Sequence, residues 1–442
     1  MSVCIIKKLK RSASALLPLL LLTGCGLITS ADSLMSPPRL NAEQNEIYNA
    51  LVKDIGSSVN LIYPRSGKLR SAYIIRDLDG DGTDEALVFY KRNNSSETDN
   101  PVRINIFHRN NDGKWNSVYD HAGTGVFVDS ADISPIGKDS RIFLIVGYGN
   151  MSSSGKSIQV YSYSNGILNT EYTDVYSEYL LTDLISEGKN DLVLFGGSGE
   201  KDGSGNSVTL VSDSENGLEE LGSAPLSSDA VSFEAVTRGH ISEKTSAVFI
   251  DEADNEGMIF TEIIYCVDGS LRNPAAVEGS TICAATRRPR GYICRDADGD
   301  GITEIPVTEP MPGYKNETEQ LLITKWNVFE NYEIREKNSG WYSRAGNWCL
   351  MFPGRWKDLV TVRIDSVSGA AVFCRYETSA ASSPELMRIA AVNKSDSDKY
   401  FSSGFSLITT SEDIDYLVKY SDSADSLILT ATELKNNFFI LR

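Results

Sequence analysis

The chain of 442 residues carries a formal net charge of -18, with 60 acidic against 42 basic side chains, and 41% of its residues are hydrophobic. So negative a chain lacks the positive field that nucleic acid or an anionic bilayer surface requires, so neither is an expected partner, whereas cations suit it. The length exceeds one ordinary domain and the apolar fraction suffices for real cores, so two or three folded units are expected.

The N-terminus, MSVCIIKKLKRSASALLPLLLLTGCG, places Lys7, Lys8, Lys10 and Arg11 before an apolar run too short to span a bilayer, the order of an export signal over residues 1–24. Leu22, Thr23, Gly24 and Cys25 resemble the lipobox of bacterial lipoproteins. That resemblance implies that Cys25 carries lipid and that the protein sits at the cell membrane, anchored on its extracytoplasmic face. Residues 25–40 are small, polar and proline-containing, and read as a tether. Residues 41–60 predict a helix with Ile47, Leu51, Val52 and Ile55 on one side, Asn41 as N-cap and Gly56 as stop.

From there to residue 346 the helical period disappears, and short runs rich in Val, Ile, Tyr and Phe alternate with Gly, Asn, Asp and Ser clusters, the signature of a mainly β region. The region repeats. IIRDLDGDGTDEALVFY, VDSADISPIGKDSRIFLIVGYG, LLTDLISEGKNDLVLFGGSG, FEAVTRGHISEKTSAVFID and YICRDADGDGITEIPV each hold an apolar strand, a polar turn and a second apolar strand. Asp77, Asp132, Asp183, Thr237 and Asp296 mark the units at steps of 55, 51, 54 and 59 residues. Two further strand candidates follow within the units, with SNG and ENG turns marking hairpins. Four strands at this period predict a β-propeller of five blades, or more, over residues 61–346.

Five acidic residues fall within the nine positions from Asp77 to Glu85, a cluster whose mutual repulsion calls for a cation. Counting from Asp77, the carboxylates of Asp77, Asp79 and Asp81 stand at positions 1, 3 and 5, Thr83 offers a backbone carbonyl at 7, and Glu85 closes the set at 9. Gly82 at position 6 permits the sharp bend. Asp296, Asp298, Asp300, Ile302 and Glu304 repeat the set, with Gly301 at the bend. Hard oxygen donors in that number suit Ca2+, whereas Mg2+ demands a stricter octahedron and zinc or copper prefer nitrogen and sulfur. An EF-hand does not fit, because Val88 stands where a bidentate glutamate would and the flanks are strands. Two structural calcium sites are therefore expected, against the plainer alternative of acidic Asp-Gly turns. The loops at Asp132, Asp183 and Thr237 lack the full set and are expected to turn without metal.

These D-x-D-x-D-G loops and the strand after each resemble the FG-GAP or VCBS-type repeats of integrin α-chain propellers and bacterial surface proteins, over about two thirds of the chain. With LIYPRSGKLRSAYIIRDLDGDG leading into the first unit, the chain is also similar to propeller lipoproteins of Gram-positive gut anaerobes. The resemblance implies a calcium-loop propeller with degenerate blades between the two acidic ones. From Asn347 the texture changes, and NWCLMFPGRWKDLVTVRID through TATELKNNFFIL predicts a separate small α+β domain over 347–442, closing on a helix with Thr430 and Glu433 in a capping box. Its MFPGRW is similar to the opening of PsbP-like folds.

Beyond Cys4 and Cys25, the cysteines are Cys266, Cys283, Cys294, Cys349 and Cys374, an odd number without a CxxC, which argues against zinc. Disulfides Cys283–Cys294 and Cys349–Cys374 and buried thiols are equal alternatives. Three histidines, His108, His121 and His240, offer little acid-base chemistry, and neither HExxH nor GxSxG occurs. GNMSSSGKS misses the phosphate-loop spacing and links two strands, so no nucleotide is expected. Tyr148, Tyr161, Tyr163, Trp341, Trp348 and Trp356 suit a core better than a sugar platform. The leading expectation is a surface-tethered binding or scaffold module for a protein or glycan. A glycan-active hydrolase or lyase, and an assembly factor or chaperone for exported proteins, are the alternatives.

Overall fold

Strands buried on both faces dominate the architecture, which is mainly β. The first six residues of Glu85–Arg92 are buried without a break, and Ile142–Gly149, Asp191–Phe195 and Thr245–Ala253 are nearly as continuous. Runs of that kind belong to sheets packed between neighbours, not to sheets with one wet face. The chain is seen in a computed structural model that describes residues 40–56, 58–93, 101–137, 141–150, 155–185, 188–196, 207–214, 217–227 and 232–441. The expected export signal, Cys25 and nearly all of the tether lie outside the described residues.

Among the described residues, six antiparallel sheets follow one another along the chain. The first contains Tyr73–Arg76, Glu85–Arg92, Arg103–Arg109 and Trp115–Ala122, with Val59–Leu61 added beside Glu85–Arg92. The second is a meander of Phe127–Pro135, Ile142–Gly149, Lys156–Ser164 and Ile167–Tyr176. The third runs Glu178–Thr182, Asp191–Phe195, Ser207–Ser214, Gly217–Pro225, and the fourth Ser232–Ser242, Thr245–Ala253, Met258–Val267, Ser270–Arg272. Consecutive sheets share cores: Ile104 with Leu144, Ile145 with Leu192, Phe195 with Ile250, and Phe249 with Ile305.

The helix Ala42–Ile55 has the expected ends. Asn41 and Gln44 form a reciprocal capping box, and Gly56 terminates it in the left-handed region at φ 74. Its buried Ile47 and Leu51 cover the outer face of the first sheet against Val88, Tyr90 and Trp115. Each such buried aliphatic side chain contributes about 1.5–3 kcal/mol. The segment after Leu61 crosses to the second sheet, where Ser66 bridges Ser130 in parallel. Gly67, at φ 85, permits this, because a Cβ there would lie 2.4 Å from the Ala131 carbonyl oxygen.

Trp348–Met351, expected to open a separate C-terminal domain, is the fourth strand of the fifth sheet, after Ile305–Pro310, Leu322–Glu330 and Glu333–Ser343. The chain returns at its end to add Phe438–Ile440 as that sheet's fifth strand. The change of texture at Asn347 thus reflects a strand with all four residues buried, not a boundary. The sixth sheet, Val360–Ile364, Ala371–Arg375, Glu385–Asn393, Ile414–Tyr420 and Ser406–Ser411, shares one core with the fifth through Trp348, Trp356, Phe373 and Phe438. The helix Ala431–Asn437 has the Thr430–Glu433 capping box predicted for it.

Candidate metal centre

The two acidic loops are built on one hydrogen-bond skeleton. In the first, Asp77 accepts from the N–H groups of Gly80 (2.6 Å) and Gly82 (2.9 Å), Asp81 from Thr83 (2.7 Å), and Glu85 from Leu78 (2.8 Å). In the second, Asp296 accepts from Gly299 (2.7 Å) and Gly301 (2.9 Å), Asp300 from Ile302 (2.9 Å), and Glu304 from Ala297 (2.7 Å). Gly82 and Gly301 both stand at φ 88, where a side chain would be strained. The arginine ahead of each loop pairs with its closing glutamate, Arg76 with Glu85 in a ladder and Arg295 with Glu304 in an isolated bridge. Thr83 and Ile302 are thus fixed through their own N–H groups.

Carboxylate oxygens of Asp77, Asp79 and Glu85 lie within 4.8 Å of one another, with Asp81 outside the group; in the second loop Asp296, Asp298, Asp300 and Glu304 all converge. Both closing glutamates are buried, at 3% and 0% exposure. Burial, opposed by the Leu78 N–H and reinforced by Asp79, Asp81 and Asp77, pushes the Glu85 carboxyl up to about 7. That donor set fits a hard divalent cation: it is all oxygen, and among the described residues no lysine or arginine pairs with it. Among the described residues the nearest basic nitrogen is His108 Nε2, 3.8 Å from Glu85 and itself hydrogen-bonded to the Tyr163 hydroxyl.

The second loop differs by one side chain. Lys337 Nζ, from the strand Glu333–Ser343, lies 2.8 Å from Asp298, 2.7 Å from Asp300 and 2.6 Å from Glu304, and Asn338 Nδ2 donates to Asp298 at 3.0 Å. Burial raises Glu304 to about 7, while the Ala297 N–H and the Lys337 ammonium draw it down; the ammonium is held well above the ordinary lysine range by its carboxylates.

The degenerate loops separate. The Asp183 loop keeps the skeleton, Gly188 N–H donating to Asp183 and Leu184 N–H to Asp191, both at 2.9 Å. Asp132 and Thr237 instead lie within strands, Phe127–Pro135 and Ser232–Ser242, so they do not occupy the loop position of Asp77. Asp132 accepts from Lys68 N–H and from the Tyr179 hydroxyl, holding the crossing segment to the second sheet.

A second concave feature was missed in the sequence. Between the fourth and fifth sheets lies a cleft of about 620 Å3 lined by Tyr265, Arg272, Asn273, Glu278, Thr281 and Tyr332. Tyr332 is 74% exposed at a hairpin turn where Asn331 and Tyr332 both have positive φ, 53 and 64. Those angles belong to a type I′ turn, whose second position favours glycine, so the tyrosine is displayed at a conformational cost. Asn331 between two strand runs was the available signal. Tyr148, Tyr161, Tyr163, Trp341, Trp348 and Trp356 are all buried. Neither candidate disulfide forms, since Cys294, Cys349 and Cys374 are free. Gly149 and Lys156 end and begin consecutive strands, and Lys156 pairs with Asp129 at 2.9 Å.

No family model and no curated protein matches the chain. Solved structures that align with it include the exotype rhamnogalacturonan lyase YesX, at 11% identity and a TM-score of 0.27 over 70% of this chain and 61% of that one. Rhamnogalacturonan lyase YesW aligns at 11% identity and 0.30, over 72% and 66%, and a Bacillus licheniformis rhamnogalacturonan lyase at 10% and 0.31, over 74% and 76%. The match spans less than two thirds of the first two lyases. Likeness at this level assigns neither topology nor chemistry.

Proposed function

We propose that the protein is a surface-tethered bacterial lipoprotein, held through lipid on Cys25 at the extracytoplasmic face of the membrane, whose stacked sheets are blades of an FG-GAP/VCBS-type propeller stabilised by calcium and serving as a scaffold for a glycan or protein ligand. The observation that carries this reading is Glu85, a buried carboxylate closing a ring of acidic oxygens that no lysine or arginine among the described residues neutralises. Asp77, Asp79 and Glu85 would hold the ion, which supplies the missing positive charge and ties Tyr73–Arg76 to Glu85–Arg92. Free calcium at about one hundred times its dissociation constant would stabilise the fold by about 2.7 kcal/mol. Identical melting curves with calcium and with chelator, together with no bound ion, would overturn the calcium reading. Cys25→Ser should release the protein from membranes, and retention there after a high-salt wash would refute the anchor.

The cleft beside Tyr332 is the surface we assign to ligand, because an exposed ring beside Arg272, Asn273 and Thr281 offers both a stacking face and polar partners for a sugar. The same cleft favours a second reading, a glycan-active hydrolase or lyase, since Asp268 and Glu278 also line it. Purified protein is to be incubated with a polysaccharide panel that includes rhamnogalacturonan. Binding without product, lost in Tyr332→Ala, supports the scaffold; product formation lost in Glu278→Gln would replace it with the enzyme. Capture of unfolded exported polypeptides, with no glycan bound, would favour an assembly factor.

A further inference from the structure

Two loops with one skeleton and one carboxylate pattern would be expected to share one metal, yet their surroundings are not equivalent. The difference lies in a β-bulge that recurs in four sheets, in the fourth strand of the first, second and third and in the third strand of the fifth. In the first sheet Ile106 faces Tyr119 and Phe107 faces Ser117, leaving Val118 unpaired. The same slip leaves Glu171 unpaired in the second sheet and Leu221 in the third. In the fifth, Trp326 faces Asn338 and Asn327 faces Glu336, and the residue left over is Lys337. A bulge turns its extra side chain out of the ladder and re-aims it. Here the extra side chain ends in the acidic loop, where its ammonium meets Asp298, Asp300 and Glu304, three of the four carboxylates that converge there.

We propose that Lys337 is the resident cation of the second loop, so that this loop is closed without metal while the first remains the calcium site. An ammonium supplies one positive charge and three donors, and it sits among these carboxylates where a divalent ion would have to sit. Being tethered to the same sheet, it is already delivered to the site, whereas calcium must displace it and leave a partly buried ammonium without its partners. The proposal rests on the calcium reading of the first loop only for the expected wild-type count; the role of Lys337 stands separately.

The test is a calcium count on the folded chain by calorimetric titration and elemental analysis. Wild type is expected to bind one ion and Lys337→Met two, while Lys337→Met with Asp79→Asn returns to one. Wild type binding two ions, or Lys337→Met binding no more than wild type, overturns the proposal. Wild type binding none and Lys337→Met one would uphold the lysine and refute the calcium reading of the first loop, so the two failures are distinct. If the variant does not fold, the 15Nζ resonance of Lys337 in the wild type decides: it should be unmoved by millimolar calcium, and its displacement overturns the proposal.

Discussion

Arg288 donates to Asp251 at 2.7 Å, and neither side chain reaches solvent. Arg288 also donates to the carbonyl oxygens of Tyr292 and Thr286 and to the Thr261 hydroxyl, while Asp251 accepts from the Cys294 N–H. The fourth sheet is thereby fastened to the segment that enters the second acidic loop. Arg288→Met leaves Asp251 buried and uncompensated, and should cost about 3–5 kcal/mol in urea unfolding. A loss below about 1 kcal/mol would mean that the segment is held by other contacts.

On the opposite face of the same sheet, Glu252 and Glu262 sit diagonally across Thr245–Ala253 and Met258–Val267. Both are fully buried, and among the described residues neither carboxyl oxygen of Glu252 has a hydrogen-bond donor. Burial, and after it the adjacent Glu262, hold the Glu252 carboxyl well above the usual carboxylate range. A raised carboxyl favours the protonated folded state, so its contribution is full below the ordinary carboxylate range and is lost as pH rises through neutrality toward the raised value. Glu252→Gln removes that loss and should raise stability at pH 9 by about 1–3 kcal/mol while changing little at pH 4. Denaturant curves at both pH values measure it; equal shifts at the two would contradict the titration argument.

Calcium binding in the first loop should carry its own pH dependence. Glu85 titrates at about 7, above an ordinary carboxylate, so a proton competes with the ion in the neutral range. With one such proton, apparent affinity falls about tenfold between pH 8 and pH 6. An affinity independent of pH over that interval, by calorimetric titration, would place Glu85 outside the site.

Much of this was legible in the sequence, and what was not has physical causes. The helix Ala42–Ile55 was readable because its caps and apolar stripe are local. The paired loops were readable because three alternating aspartates and a closing glutamate lie within nine positions. Asp132 and Thr237 were misplaced because spacing alone does not separate a strand residue from a loop residue. The fifth sheet was cut at Asn347 because its last strand comes from Phe438–Ile440, 90 residues after Trp348. Lys337 carried no signal at all, since its aim is set by a one-residue slip in strand pairing.

That slip allows the charge to be moved. Val118 occupies in the first sheet the bulge position that Lys337 occupies in the fifth, and at 45% exposure it can be lengthened without disturbing a core. Its loop presents the same skeleton and the same closing glutamate as the loop that Lys337 fills. Val118→Lys should therefore place an ammonium against Asp79 and Glu85, and weaken calcium binding there by about tenfold or more, since both cations need the same oxygens. At the same calcium concentration the variant's calcium-dependent gain in stability should fall to about half that of wild type or less, and in chelator it should be at least as stable as wild type, because the repulsion between the carboxylates is relieved. Val118→Met, of similar length and no charge, should retain the calcium-dependent rise. Calcium binding unchanged in Val118→Lys would mean that the bulge does not aim its side chain at the first loop, and that the two sheets differ in more than the residue at that position.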